Sequence, residues 1–148
     1  MNAFHSFNIT SSALSAQRLR MDVISSNMAN ADTTRAQFVN GEWQPYRRKM
    51  VVLESQGSFS SLLNRAMNNE KASGGVAATN VVEDQTPFNL VYDPSHPDAN
   101  EQGYVAMPNV DPLREMVDLI SSTRSYEANV TVLNATKAMM MKALEIGK

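Results

Sequence analysis

The chain has 148 residues, a length suited to one domain with a modest core. Thirteen basic and fifteen acidic residues are interspersed to a net charge of −2, which excludes the concentrated basic surface that nucleic acid or an anionic membrane requires. The absence of cysteine excludes thiolate metal sites, disulfides and cysteine nucleophiles, and no run approaches the roughly 18 apolar residues of a membrane span.

The first thirty residues carry a helical pattern. Phe7, Leu14, Met21 and Met28 recur at every seventh position, and Ile24 and Ala31 take the adjacent seam position. A helix over Phe4 to Asn30 would be about 40 Å long. Short polar side chains from Asn27 to Thr34 compete for the backbone and mark its end. No basic stretch followed by an unbroken apolar run precedes it, so the expectation is export without a cleavable signal peptide.

An Asn40-Gly41 pair between Phe38-Val39 and Trp43 predicts a β-hairpin. Tyr46 to Leu53 follows as a strand expected to pair back on the first. The basic run Arg47-Arg48-Lys49 within it reads as a solvated face. Residues 55 to 75 are rich in Ser, Asn and Gly and read as a variable loop with a short helix at Ser60 to Met67. Residues 76 to 110 hold Pro87, Pro94, Pro97 and Pro108, and an extended arm with little regular structure is expected there.

Asp111-Pro112 is a helix start, with an N-cap carboxylate before a proline that tolerates the first helical position. Glu115 and Asp118 sit near the positive end of the helix dipole. Leu119, Tyr126, Leu133 and Met140 hold one heptad position. Met116, Val130 and Leu144 share the other with Thr123 and Lys137, and Leu113, Ile120 and Met141 widen the stripe. The helix should run from Pro112 to about Ile146.

The fold class expected is therefore mainly α. Long terminal helices (1–34 and 111–148) pair as an antiparallel coiled coil, with a central β-hairpin, loop and extended arm over 35–110. Such a pair buries too little surface to offset chain entropy alone, which points to assembly with further copies or other chains. Chemistry finds no support. His5 and His96 lie far apart, and Asp93 to Glu101 lacks the spacing of a calcium loop. No phosphate loop, dinucleotide fingerprint or nucleophile motif is present, so no enzyme and no cofactor are expected.

Two groups of residues carry a resemblance. Ser12-Ala13-Leu14-Ser15-Ala16-Gln17 and Ser26-Asn27-Met28-Ala29-Asn30-Ala31-Asp32-Thr33 resemble the signature of the flagellar rod and hook axial protein family. Asp32, and the lack of the Gly-Tyr pair that many members carry, resemble its proximal-rod branch. In the second half Asn80 to Asp84, Val91-Tyr92-Asp93-Pro94, His96-Pro97-Asp98-Ala99, Gly103-Tyr104-Val105 and Met107-Pro108-Asn109-Val110 follow that branch's order. So do Glu115-Met116-Val117, Ser125-Tyr126-Glu127-Ala128-Asn129-Val130 and Val132-Leu133-Asn134. The match spans 1 to about 56 and 74 to 148. The resemblance implies a proximal-rod subunit exported unfolded through the flagellar type III apparatus. It implies partners in further copies of the chain, in FlgB- and FlgF-like rod proteins and in the adaptor at the rod base. Its terminal helices would surround an export channel in a periplasmic tube that passes torque to the hook. An FlgB-like rod subunit, or a soluble adaptor binding one partner helix, are the alternatives.

Overall fold

The computed structural model describes residues 3–39, 41–55, 67 and 74–146. Helix α1 runs Ala3–Ala29 and helix α2 runs Pro112–Ile146. Among the described residues six short strands lie between them: β1 Gln37–Val39, β2 Glu42–Gln44, β3 Lys49–Ser55, β4 Val76–Glu83, β5 Asn89–Tyr92 and β6 Tyr104–Met107.

Helix α1 stops where its side chains begin to satisfy the backbone. Asn30 Nδ2 donates to the Ser26 carbonyl at 2.8 Å, and the Asn30 and Thr33 N–H groups close successive tight turns. Helix α2 starts on its cap: Asp111 Oδ1 accepts from the N–H groups of Leu113 (3.0 Å) and Arg114 (3.4 Å).

The strands form three separate two-stranded pairs, β1–β2, β3–β4 and β5–β6. In the first, antiparallel pair Phe38 faces Trp43, with ring centroids 5.3 Å apart, and Gly41 takes φ +93° at the turn. The strand after it does not pair back on this hairpin, contrary to the sequence expectation. β3 joins β4 instead: the half-buried run Lys49 to Leu53 finds its partner in the β-branched segment from Val76.

The supposed irregular arm also carries more order than its prolines suggest. β5 and β6 pair antiparallel with Val91 facing Val105 and Tyr92 facing Tyr104. Pro94 and Pro97 fall in the connecting loop and Pro108 just beyond β6, so none interrupts the pairing. The loop is a series of side-chain turns: Asp93 Oδ1 accepts from Ser95 N–H, His96 Nδ1 from Asp98 N–H, and Asn100 Oδ1 from Gln102 and Tyr104 N–H. Gly103 takes φ +82°, and a Cβ there would meet Tyr92 Cε2 at 3.0 Å and Pro94 Cγ at 3.2 Å. The short helix expected at Ser60 to Met67 lies, apart from Met67, outside the described residues.

The chain divides into two compact units. The first comprises Met1–Arg20, Val51–Asn80 and Ser121–Lys148, and the second Met21–Met50 and Val81–Ile120. Among its described residues the first unit buries Thr10, Ala16, Ser122 and Thr136, all small. The second buries Ile24, Tyr46, Val105, Pro108 and Val110 around a group of polar side chains.

Candidate functional site

The second unit is built around a polar centre. The last turn of α1 supplies Asn27, the first turns of α2 supply Glu115 and Asp118, and the chain entering β3 supplies Tyr46, Arg48 and Lys49. Asn27 is 1% exposed and Glu115 is fully buried, so each needs its hydrogen-bonding capacity met inside.

Asn27 meets it completely. Its Nδ2 donates to the Lys49 carbonyl at 2.9 Å and to Glu115 Oε2 at 3.0 Å; its Oδ1 accepts from Lys49 N–H at 2.9 Å and from Tyr46 O–H at 3.1 Å. Two donors and two acceptors are all that the amide has. The pairing with one residue's N–H and C=O also sets which way the amide points.

Arg48 completes the centre. Its Nε donates to Glu115 Oε1 at 2.6 Å, a charge-assisted bond, and its other nitrogens reach Asp118 Oδ2 at 3.4 Å and Asp84 Oδ2 at 3.7 Å. Its N–H donates to Asn109 Oδ1 (2.8 Å) and its carbonyl accepts from Asp84 N–H (2.8 Å). Asn109 Nδ2 in turn donates to Thr86 Oγ1 at 2.9 Å and toward the carbonyls of Asp84 and Thr86 at 3.2 Å. The Thr86 N–H holds the Asp84 carboxyl below the usual carboxylate range, with Arg48 acting in the same direction.

The reading of Arg47-Arg48-Lys49 as a solvated face is thus corrected at its middle residue. Arg48 is only 9% exposed, because its guanidinium reaches inward to carboxylates from two other segments, Glu115 and Asp118 of α2 and Asp84. Glu115 does more than complement the helix dipole, since it is the buried partner of that arginine.

A second tie lies at the surface of the same unit. Asp98 accepts from Thr34 Oγ1 (2.8 Å) and Arg35 Nε (2.6 Å), which hold its carboxyl below the usual range. A cleft of about 200 Å³ lies there, lined by Thr34, Arg35, Trp43, Pro45, Asp98 and Ala106. Among the described residues no group of His, Cys, Asp and Glu is arranged to hold a metal ion. The polar groups of the centre are spent on one another, so the arrangement serves to hold chain segments together.

Of the residues expected to pack helices, Ile24 is buried, while Leu14, Met21, Met28, Leu119, Tyr126, Val130, Leu133 and Met140 are half-buried. Phe7, Met116, Ile120, Met141 and Leu144 are exposed. Of the motif residues, Asn27, Pro108 and Val110 are buried. Asn30, Thr33, Gly103, Asn109 and Asn129 are half-buried, and Ala29, Tyr104 and Glu127 are exposed. The structure brings Asn27 and Asn109 into one network with Arg48 and Glu115. Sequence reasoning missed Tyr46 and Arg48, whose roles depend on partners 19 to 70 positions away.

The pattern of the family described as "Flagella basal body rod protein" matches residues 7–37, and that of "Flagellar basal body rod FlgEFG protein C-terminal" matches residues 101–146. The chain is 68% identical over 150 residues to "Flagellar basal-body rod protein FlgC" of Bacillus subtilis (strain 168), covering 100% of both chains. It is 44% identical over 142 residues to the protein of that name in Escherichia coli O6:H1, covering 96% of each. The Borreliella burgdorferi protein of the same name is 40% identical over 153 residues, covering 99% of this chain and 98% of its own.

Proposed function

The chain belongs to the FlgC family of flagellar basal-body rod proteins, and we propose that it builds the proximal rod through the exposed apolar face of α2. As a family member it is a structural subunit of the basal-body rod and not an enzyme. It assembles with other rod proteins.

The observation that carries the proposal is that face. Leu113, Val117 and Ile120, spaced i, i+4 and i+7 along α2, are between 62% and 75% exposed. Contiguous apolar surface of this kind marks an interaction site. Pairing of the terminal helices as a coiled coil, with neighbouring copies and FlgB- and FlgF-like subunits closing the remaining face, would place it out of water. A tube made this way would enclose a channel and carry torque. Delivery would run through the type III apparatus, and no described helix is long and apolar enough to cross a membrane.

Ile120→Asp tests the reading. Ile120 is 62% exposed, so a carboxylate there stays hydrated in the free subunit and should leave its fold intact. Buried between subunits the same carboxylate would be unpaired and costly. Secretion should persist, while rod assembly and swimming are lost. Normal swimming at wild-type protein level would refute the assignment of this face.

A further inference from the structure

The polar centre joins residues that are remote in sequence. Asn27 is 22 positions from Lys49 and 88 from Glu115, and Glu115 is 67 from Arg48. Arg48 and Glu115 are charges of opposite sign, both withdrawn from water. Burying either alone strips its hydration with nothing in return, so neither segment gains by closing first. Asn27 adds to the constraint, since its two donors go to different segments, β3 and α2. By contrast, the β5–β6 hairpin and the helix caps are satisfied by local partners and can form on their own.

We propose that the Arg48–Glu115 pair is a coincidence lock: the end of α1, the entry to β3 and the start of α2 close in one step, and the second unit stays open until all three are present. The proposal deepens the reading above and rests on delivery of the chain in an unfolded state. A chain emerging from one end then cannot fix its first half before its last third follows. Removing the two charges together should abolish the lock without abolishing the fold, because neither segment then carries a charge whose burial waits on the other.

The test is pulse-labelled amide exchange during refolding of the purified full chain. The probes are the N–H groups of Arg48, Lys49 and Asp84, which bond Asn109, Asn27 and the Arg48 carbonyl, together with those of residues 118–122 in α2. In the wild-type chain both groups should become protected in a single step. Glu115→Gln should slow that step and raise native-state exchange at Lys49 on the order of 100-fold, as expected when a buried charge loses its partner. The Asp93 amide, bonded to the Gly103 carbonyl within the hairpin, should change little. The double variant Arg48→Met/Glu115→Met should regain most of the protection lost in Glu115→Gln, short of the one bond that Asn27 Nδ2 gives up, but acquire it in two separate steps. Protection of Lys49 and Asp84 ahead of 118–122 in the wild type would overturn the lock, and so would single-step closure in the double variant. The delivery reading fails separately, if a chain fused to a tightly folded domain is still secreted intact.

Discussion

Replacing Asn27 by Asp changes one heavy atom of the buried centre, yet it reverses two of that residue's four hydrogen bonds. The Nδ2 that donates to the Lys49 carbonyl at 2.9 Å and to Glu115 Oε2 at 3.0 Å becomes an oxygen. Two carboxylates about 3 Å apart repel by roughly 5 kcal/mol at an effective dielectric constant near 20. The alternative is for the pair to hold one proton, which from an ordinary Asp pKa of about 3.9 costs about 4 kcal/mol at pH 7. The lost bond to the Lys49 carbonyl adds about 1 kcal/mol. The loss at neutral pH is therefore about 5 kcal/mol, with the proton shared. In the folded variant the pair's upper pKa is raised above the unfolded value, so the native state binds more protons across the interval between them. Stability then falls as pH rises through that interval and recovers as pH drops toward 4. Amide exchange at Lys49 and Arg48 would measure the difference from wild type at pH 7 and pH 4.5. That difference should shrink by about 3 kcal/mol at the lower pH. Asn27→Ala, which adds no titratable group, should show a deficit that does not change with pH in this way. An Asn27→Asp deficit equal at both pH values would refute the close approach of Asn27 to Glu115.

The carboxyl of Asp98 is held low chiefly by Arg35, so its contribution is present above its unfolded value of 3.8 and is lost as pH falls through the lower folded value. A carbon-13 titration should find its midpoint below 3.8 and find it raised in Arg35→Ala; an unshifted midpoint would count against the tie. Gly103→Ala and Gly41→Ala both force a β-carbon onto a backbone with positive φ, at about 1 kcal/mol each. Only Gly103 also meets Tyr92 and Pro94, so its deficit in urea unfolding should be about twice as large, and equal losses would contradict the close packing at the loop.

Much of the fold could be read from short-range patterns. The start of α2 at Pro112, its end near Ile146, the stop of α1 and the hairpin around Gly41 each depend on residues within a few positions of the feature. What required distant partners escaped. The line of α2 that turns most deeply inward is Glu115, Ser122, Asn129 and Thr136, one residue ahead of the apolar row at Met116, Val130 and Leu144. A search for apolar residues at heptad spacing passes over such a line, although its own seven-residue recurrence next to Leu119, Tyr126, Leu133 and Met140 could have marked it. Arg48 escaped for a related reason. A basic triplet has the same composition whether its middle residue meets water or a buried glutamate. The pairing of β3 with β4 escaped because two short strands on either side of a long connection offer no local sign of choosing each other.

The distribution of polar and apolar side chains also bears on where the free energy of rod formation lies. The second unit puts its charged and amide groups inside, where they satisfy one another at little net gain, and α2 leaves Leu113, Val117, Ile120, Met139 and Leu144 outside. In the first unit the buried set is Thr10, Ala16, Ser122 and Thr136, and Gln17 Oε1 and Ser122 Oγ are buried with no hydrogen-bond partner among the described residues. Small side chains such as these contribute little apolar area. Covering five exposed aliphatic or Met side chains would be worth on the order of 10 kcal/mol at about 1.5–3 kcal/mol each, as much as the whole net stability of an ordinary domain. On the packing proposed for α2, a chain arranged this way would draw from its neighbours apolar burial that the buried side chains of its first unit supply only sparingly. It follows that substitutions on the outer face of α2 should act on assembly, while substitutions at Asn27, Arg48 and Glu115 should act on the subunit before any neighbour is met.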